Sequence, residues 1–534
     1  RTQSRDIKCQ RRCEGGRNII FDTVIPKKKK GSHRILVIIV SSSFQIGKLE
    51  GYHQSVSTTI MPHTVASKKE QQSCDQESNI SSSSSVAMSS PTSVVPNGVT
   101  EAMEPIFLTS SMTSDWPTLA PSAKSLRTKN PIREIVDPIV ANMQMGTERK
   151  DKKELISLAL GDPTVFGNFD VCPALALAIS PTSGAGYVNA LGTDAARQAI
   201  AAYHSMHHLG VTYRAGDVIV ASGCSGSLEL VLTAMLDPGT VLLVPQPGFP
   251  LYEVIAKSHG ATVEYYRLRS DHHWHVDLNH VHELVQRLGS AVRGIVINNP
   301  SNPTGAVYSK EHLRDIVQVC DNCKLPIVAD EVYGDIVFGS HRFHPLASIT
   351  ASMGDRVPVI TCSGLAKQFL LPGWRVGWAL FRDNKFGSLA PVHAGAKRLA
   401  QIILGASHLA QTAIPVLLDR GNRDVTDWKE ALRSKFEEQA SYIASRLSQI
   451  PGLEVLPSGG AMYMMIRIHR DKSEDTLCDQ QFTHLLLREE NVFVLPGTCF
   501  GFPDAFRLVF SAPIGLLEEA ADRIEEFCRR HRVS

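Results

Sequence analysis

Short, almost wholly apolar runs separated by stretches of helical periodicity are the feature of this sequence that most constrains its fold. The apolar runs lie at residues 218–221, 241–244, 294–297, 327–329, 357–360 and 378–381. Helical spacing of apolar side chains is found between them, at residues 228–235, 312–319 and 394–404. Strands that are apolar throughout are covered on both faces, and strands that alternate with helices join as parallel neighbours. The sequence therefore predicts an α/β fold whose large domain holds a mostly parallel sheet flanked by helices.

The pattern changes after Gly421 and predicts a second, smaller domain of the α+β class. Helical periodicity at residues 428–447, 480–489 and 516–530 alternates with short apolar runs at 453–456, 462–468, 492–495 and 507–510. We therefore expect a large domain at residues 176–420 and a small C-terminal domain at 421–534. Residues 116–175 are predicted to be an N-terminal segment that joins the small domain.

Residues 1–115 differ in composition from the rest of the chain and are predicted to be a disordered, low-complexity extension. They contain a basic cluster at 27–30 and serine-rich stretches such as 81–85. Such a composition buries too little apolar surface to offset the entropy of ordering the chain. Residues 1–30 carry ten Lys or Arg against three acidic residues, so a mitochondrial transit peptide is the alternative to a solvated tail.

Charge, cysteine content and hydropathy disfavour several classes of protein. A formal net charge of +2 lacks the basic excess of a dedicated nucleic-acid binder. The 11 cysteines are odd in number and scattered, which is typical of reduced thiols inside a cell. No apolar run approaches the length of about 20 residues that crosses a bilayer. We expect a cytoplasmic protein without nucleic-acid or membrane partners.

Other familiar motifs are absent or incomplete. There is no GxxxxGK[ST] phosphate loop, and the glycines of residues 184–189 lack the third glycine of a dinucleotide-binding loop. The histidines of residues 272–275 have no partner cluster at ligand spacing. Cys320 and Cys323 form a CxxC without a second pair, so the sequence predicts no metal site.

Three residues at strand ends suggest a specific chemistry when they are taken together. Lys367 follows the run at 357–360, and a lysine in a dry cleft can have its pKa lowered until it forms a Schiff base with an aldehyde. Arg375 lies one short loop away and could clamp a phosphate with its planar fork. Asp330 follows the run at 327–329 and could hold a pyridine nitrogen protonated. Each also has a plain alternative: a surface amine for Lys367, a structural ion pair for Arg375 and a strand-end cap for Asp330.

Segments around these residues resemble the class I aminotransferases, a group of fold-type I pyridoxal phosphate enzymes. The main carriers of the resemblance are GLAK at 364–367, PGWRVG at 372–377, NPSNPTG at 299–305, ADEVYG at 329–334 and SGCS at 222–225. Further runs resemble the members that act on aromatic amino acids: NPIR at 130–133, GDPTVFGN at 161–168, PGF at 247–249, and residues 458–463. The resemblance covers about residues 125–530.

The resemblance implies a role for each matching residue around the cofactor, pyridoxal 5′-phosphate. Lys367 would form the Schiff base and carry the proton, with Asp330 on the pyridine nitrogen and Tyr333 completing the catalytic group. Asn302 and Tyr333 would bond the 3′ oxygen, and Phe249 would stack on the ring. The phosphate would be held by Arg375, Gly223, Cys224, Ser225 and Tyr187 of the partner subunit. The substrate carboxylate would be bound by Arg507, Asn302 and Gly161.

Two positions depart from the pattern of the family. Many members have a serine three residues before the lysine, where this chain has Gly364, so the role of Ser363 one residue earlier is open. The stretch SGGA at 458–461 has one glycine more than usual.

The function implied is that of a homodimeric aminotransferase that moves the amino group of L-tyrosine and other aromatic amino acids to 2-oxoglutarate by a ping-pong mechanism. Three alternatives stay open, because a fold does not determine a function. The first is an aminotransferase for another amino acid, such as alanine. The others are a carbon–sulfur lyase on the same scaffold and a cofactor-binding regulator without turnover.

Overall fold

The computed structural model describes residues 120–144, 153–178, 184–469 and 477–531, all within the unit Met112–Ser534. The predicted disorder of residues 1–115 and the basic cluster at 27–30 lie outside the described residues. Within the ranges above, no helix is both long and apolar enough to cross a membrane.

Helices and strands follow one another along most of the described chain. The helices are α1 (Ala123–Arg127), α2 (Pro131–Gln144), α3 (Leu175–Ala178), α4 (Asp194–His204), α5 (Gly223–Met235), α6 (Leu251–Ser258), α7 (Leu278–Leu288), α8 (Lys310–Cys323), α9 (Leu346–Ser352), α10 (Leu365–Gln368), α11 (Ala390–Ile403), α12 (His408–Gln411), α13 (Ile414–Leu417), α14 (Arg423–Leu447), α15 (Asp479–Glu490) and α16 (Ile514–Arg530). The strands are β1 (Ile156–Ser157), β2 (Val218–Ser222), β3 (Val241–Gln246), β4 (Thr262–Arg269), β5 (His275–Val276), β6 (Val292–Asn298), β7 (Ile327–Asp330), β8 (Val359–Gly364), β9 (Val376–Arg382), β10 (Leu453–Val455), β11 (Tyr463–Ile468), β12 (Val492–Phe493), β13 (Leu495–Pro496) and β14 (Ala505–Val509).

An eight-stranded sheet forms the core of the larger part of the protein, in the order β2-β9-β8-β7-β6-β3-β4-β5. The strands β8, β7, β6, β3 and β4 pair in parallel, whereas β9 and β5 pair antiparallel to their neighbours. Every residue of β7 and β8 is buried, because helices cover both faces of the sheet. The predicted α/β fold with a mostly parallel sheet is therefore confirmed.

One edge of this sheet collects the residues that the sequence analysis singled out. Asp330 ends β7, Gly364 ends β8, and Ser222 ends β2 beside the first residue of the antiparallel strand β9. Ligands of open α/β sheets bind outside the carboxyl ends of the strands. This edge is therefore the place for a functional site.

The C-terminal part builds its own four-stranded sheet in the order β10-β11-β14-β13, packed against α14 and α15, and α16 packs on these two helices. The run at 492–495 is predicted as one strand but divides in two, because β12 pairs with β1 and β13 pairs with β14. The pairing of β1 with β12 attaches the N-terminal segment to this part. The separate sheets support our proposed division into a large and a small domain, whose borders stay predictions.

Candidate active site

A cavity of about 380 Å³ at the carboxyl edge of the large sheet brings most of the predicted site residues together. Its lining includes Gly161, Cys224, Ser225, Phe249, Asn302, Asp330, Tyr333, Lys367, Arg375 and Arg507. Gly223 is not part of this lining but lies against the Arg375 side chain. Tyr187 lies elsewhere on the surface and is 97% exposed.

Lys367 lies in the short helix α10 that follows β8 directly. Its Nζ donates a hydrogen bond to the backbone oxygen of Gly161, in the loop that leads away from β1. Gly161 is suited to this position because a Cβ atom there would overlap the Tyr463 hydroxyl. The lysine amine is thus placed inside the cavity, close to a loop that can lie against Tyr463 only because residue 161 is a glycine.

Asp330 is buried at the end of β7 and is held by three donors. The Tyr252 hydroxyl donates to Oδ2 at 2.6 Å, while the backbone N–H of Val332 and the Cys224 thiol lie 3.4 and 3.7 Å from Oδ1. Burial raises the pKa of the Asp330 carboxyl, and these hydrogen bonds oppose the rise. None of the groups that shift this pKa is a cation of the described chain. The carboxylate is therefore suited to a positively charged ligand atom.

The helix α5 and the loop before β9 form a cradle beside Ser225. Gly223 has a φ of 72°, and a Cβ there would lie 2.6 Å from Nη2 of Arg375. At Gly377 a Cβ would overlap the backbone between Gly223 and Cys224. The two glycines thus let the exposed Arg375 guanidinium and the backbone of β9 lie close to the N-terminal amides of a 13-residue helix. Such an arrangement favours a phosphate group.

Arg507 lies in the central region of β14 with its guanidinium between the rings of Tyr463 and Phe500, at 4.4 and 4.7 Å. Its Nη1 donates to Oδ1 of Asn302 at 2.9 Å, and its Nη2 donates to the backbone oxygen of Ala159. Burial lowers the pKa of this arginine, and its Nε is buried without a hydrogen-bond partner among the described residues. A buried cation with a free donor is suited to a carboxylate of a ligand.

Aromatic groups close the cavity between these two ends. Phe249 is half-buried, and its ring meets that of Tyr252 edge to face, with the centroids 5.8 Å apart. The hydroxyls of Tyr333 and Tyr463 are 2.7 Å apart, and burial raises the pKa of Tyr333 well above its usual value. The cavity therefore offers a ring-sized space with an amine, a carboxylate and a phenol at its border.

Several contributors to the site were not among the predicted residues. Asn130, Ile132 and Arg133 at the start of α2 line the cavity, as does Tyr463. All four belong to runs that carry the family resemblance, so a signal existed for them. Tyr252 bonds Asp330 without lining the cavity, and nothing in the local sequence distinguishes it from a core aromatic residue.

The two departures from the family pattern have structural reasons. A Cβ at Gly364 would lie 2.7 Å from the backbone oxygen of Val376, so a serine at this position would require a shift of the backbone. Ser363 is fully buried, is absent from the cavity lining and accepts a hydrogen bond from Gln368 at 3.0 Å. The additional glycine is accommodated because the amides of Gly459 and Gly460 both donate to the backbone oxygen of Gly305.

The histidine and CxxC motifs occupy other parts of the fold. The ring of His275 stacks on that of His312 at 4.0 Å, and Cys320 and Cys323 are free thiols on α8. Across the described residues, no group of three or more His, Cys, Asp or Glu side chains is arranged to hold a metal ion.

Comparisons with known proteins agree with this geometry. Residues 153–524 match the family described as "Aminotransferase class I and II". The tyrosine aminotransferase of Dictyostelium discoideum is 42% identical over 409 residues, covering 76% of this chain and 94% of that protein. The tyrosine aminotransferase of Mus musculus is 38% identical over 417 residues, covering 77% and 87% of the two chains.

Solved structures of aminotransferases are also similar to this chain. The crystal structure of tyrosine aminotransferase from Leishmania infantum is 31% identical, with a TM-score of 0.70 over 78% of this chain and 99% of that one. The alanine aminotransferase from Pyrococcus furiosus is 30% identical, with a TM-score of 0.68 over 77% of this chain and 100% of that one.

Proposed function

The chain belongs to the class I and II aminotransferases and is a transaminase, and we propose that it moves the amino group of L-tyrosine and other aromatic L-amino acids to 2-oxoglutarate. The similarity to tyrosine aminotransferases over three quarters of the chain carries this proposal. The site supports it independently, because Arg507 offers one carboxylate position to any amino acid or 2-oxo acid.

We propose pyridoxal 5′-phosphate as the cofactor, because three observations fit its three polar ends. The cradle of Gly223, Gly377 and Arg375 matches its phosphate, and a Cβ at either glycine would overlap neighbouring atoms. Asp330, buried without a cationic partner among the described groups, matches its ring nitrogen. The amine of Lys367 matches its aldehyde. When bound, this cofactor supplies an aldehyde that takes up amino groups and a ring that withdraws electrons.

The residues of the chain would bind the cofactor and transfer the substrate proton. Asp330 would hold the proton on the ring nitrogen, Phe249 would stack on the ring, and Asn302 and Tyr333 would bond its 3′ oxygen. Ser225 and the amides of residues 223–224 hold the phosphate together with Arg375. Lys367 would take the proton from the substrate Cα and deliver it to the cofactor carbon that carried the aldehyde, and it would carry a proton the opposite way when the 2-oxo acid is converted.

The substrate end of the cavity explains why the reaction would be ping-pong. Arg507 binds the α-carboxylate, Asn302 orients the guanidinium, and Gly161 allows its loop to lie against the Tyr463 hydroxyl beside them. The amino acid and the 2-oxo acid each carry an α-carboxylate, so both bind to Arg507 and occupy the same position one after the other. The first product must leave before the acceptor enters.

We further propose a homodimer whose interface lies beside the cradle. Ile402, Ile403 and Leu404 are largely exposed, and a second cavity of about 540 Å³ joins Ile402 and Ile403 to Ser225 and Arg375. The segment with the exposed Tyr187 lies against residues 405–409, where His408 bonds the oxygen of Gly186 at 3.0 Å. Apolar patches of this kind typically mark protein interfaces. Tyr187 of the partner subunit would then reach the phosphate.

For the compartment we propose the cytoplasm. All eight cysteines within the described residues are free thiols, as is typical of a reducing environment. The alternative, a mitochondrial protein, depends on residues 1–115, which lie outside the described part of the chain.

A substrate panel tests the proposed reaction. Purified protein loaded with pyridoxal phosphate is given tyrosine, phenylalanine, alanine or a cysteine conjugate, with 2-oxoglutarate as acceptor. We expect aromatic oxo acids and glutamate as the main products. A preference for alanine would show that the enzyme acts on another class of amino acid. Pyruvate formed from the cysteine conjugate without an acceptor would indicate a lyase, and the absence of product with every amino acid would favour a regulator.

Arg507→Lys should weaken every amino-acid and oxo-acid substrate together, because all of them share the carboxylate. Lysine keeps the charge but loses the planar fork, which costs about 1–3 kcal/mol at a charge-assisted site and raises KM about fivefold to 150-fold. Arg523→Lys is the matched control, since Arg523 is also buried (5% exposed against 2%) but bonds the backbone of Glu154 and Glu490, outside the cavity. Unchanged KM values with a lowered melting temperature would refute the carboxylate role.

Ile403→Glu should produce monomers in size-exclusion chromatography with light scattering, because the new charge would be desolvated in an apolar interface. Phe386→Glu is the control, since Phe386 is exposed to a similar extent, 68% against 70%, at another surface. If Ile403→Glu stayed dimeric, the interface would have to lie elsewhere.

A further inference from the structure

We infer that Tyr252 is a positioning residue that keeps the proton on the cofactor's ring nitrogen by holding Asp330 as a carboxylate. The inference rests on the proposed binding of pyridoxal phosphate and adds a residue that the family comparison does not supply. Tyr252 touches neither substrate nor cofactor in this arrangement, because it lies behind Asp330 and outside the cavity lining.

The hydrogen bond from Tyr252 is the strongest that Asp330 receives. The distance from the Tyr252 hydroxyl to Oδ2 is 2.6 Å, within the range of a charge-assisted O–H···O⁻ bond. The Cys224 thiol at 3.7 Å is a weak donor, and the backbone N–H of Val332 at 3.4 Å is long. Both of these weaker donors are directed to Oδ1. Oδ2 therefore depends on Tyr252.

The local sequence places this hydroxyl with little freedom. Tyr252 is the second residue of α6 and is 1% exposed. It follows Phe249 by three residues, and its ring packs edge to face against Phe249. The loop before α6 thus supplies Phe249, which is proposed to stack on the cofactor ring, and the first turn of α6 supplies Tyr252, which supports the partner of the ring nitrogen.

The hydrogen bond from Tyr252 matters because no cationic group of the described chain interacts with Asp330. The titratable groups that interact with Asp330 are Tyr252 from α6, Cys224 from α5, Cys362 from β8, and Glu331 and Tyr333 just after β7. All of them are neutral or acidic, so hydrogen bonds take the place that a cation would otherwise fill. Burial disfavours the ionised carboxyl, and donated hydrogen bonds favour it.

The proton shared by Asp330 and the ring nitrogen has two positions. The proton lies on the ring nitrogen when hydrogen bonds stabilise the Asp330 carboxylate. It lies on the carboxyl group when the neutral pair of carboxylic acid and pyridine is lower in free energy than the ion pair. Removal of the Tyr252 hydroxyl raises the proton affinity of Asp330, so the proton moves from the ring nitrogen to Oδ1 or Oδ2. The ring then withdraws electrons less strongly, and loss of the substrate Cα proton becomes slower.

Tyr252→Phe, loaded with pyridoxal phosphate labelled with ¹⁵N in the ring, tests this directly. We expect the ¹⁵N chemical shift to move toward that of an unprotonated pyridine. The rate of the half-reaction with tyrosine should fall about tenfold to a hundredfold, with KM nearly unchanged. Tyr266→Phe is the matched control, because the Tyr266 hydroxyl is also buried and also makes a 2.6 Å bond, but to the backbone oxygen of Val296. The control should keep the wild-type ¹⁵N shift and rate.

Two further variants separate a positioning role from a packing role. In the background of Asp330→Asn, the added Tyr252→Phe change should have little further effect on rate, because Tyr252 acts through the carboxylate. Tyr252→His keeps a ring N–H donor and should restore part of the protonated ¹⁵N signal. Additive losses in the double variant, or no restoration by histidine, would count against the inference.

The inference is overturned if Tyr252→Phe binds the cofactor with an unchanged ¹⁵N shift, whatever its melting temperature. That outcome is distinct from failure of the proposed function. The ¹⁵N signal requires only a bound cofactor, whereas failure of the function would appear as wild-type protein that transaminates no amino acid.

Discussion

Lys367→Ala is expected to lose transamination almost completely, by about 10⁴-fold or more. The amine of Lys367 is proposed to anchor the cofactor and to move the substrate proton, and alanine can do neither. The variant should also lose the absorbance band of covalently bound cofactor while folding normally, because the Lys367 side chain is only partly buried. Rates are measured with tyrosine and 2-oxoglutarate, and folding by a melting curve.

The matched control is Lys435→Ala. Its amine also donates to a backbone oxygen of the loop at 161–168, that of Asn168, but Lys435 is not part of the cavity lining. This variant should keep the wild-type rate and spectrum. Transamination by Lys367→Ala at the wild-type rate would refute the assignment of the lysine.

Asp330→Asn is expected to retain the cofactor and to lose activity several hundredfold. A neutral amide cannot hold the proton on the ring nitrogen, so the ring withdraws electrons less strongly, and a loss of several hundredfold corresponds to about 3–4 kcal/mol of activation free energy. The rate of the half-reaction with tyrosine measures the loss, and the ¹⁵N shift of labelled cofactor reports the proton.

Glu331→Gln provides the control for this variant at the next residue. Glu331 is as buried as Asp330, and burial raises the pKa of its carboxyl to about 8, so near pH 7 it is mostly neutral already. Its carboxyl accepts a hydrogen bond from the backbone of Leu346 and does not line the cavity. The glutamine variant should stay active. A wild-type rate in Asp330→Asn would remove the carboxylate from the mechanism.

Much of the fold was predictable because buried parallel strands are apolar along their whole length. All six predicted strands of the large domain lie in the sheet. The strand β4 was missed because it lies next to the end of the sheet, where half of its positions, including Thr262, face solvent and are polar. The division of 492–495 into β12 and β13 depends on partners far away in the chain, which no local pattern encodes.

Some residues of the site could likewise be predicted from the sequence, and others could not. Residues in strand-end motifs, such as Asp330 and Lys367, could be named because the family resemblance covers those motifs, and the structure brings them to one cavity. Tyr252 could not be named, because its partner is 78 residues away and a tyrosine in an apolar helix usually belongs to the core. Tyr187 lies apart in a single chain, so its proposed role depends on the second subunit.

The pairing of β1 with β12 has a consequence for the order in which the protein can be built. The backbone of Lys153 is bonded by Asn491, a residue 338 positions later in the chain. During synthesis the large sheet can form from residues that emerge in one continuous stretch, whereas β1 must wait until Val492 and Phe493 have left the ribosome. Until then Leu158, whose amide also bonds Phe493, has no strand to join. A chain cut short before residue 491 therefore leaves the backbone of β1 unpaired, and unpaired strand edges of this kind favour aggregation.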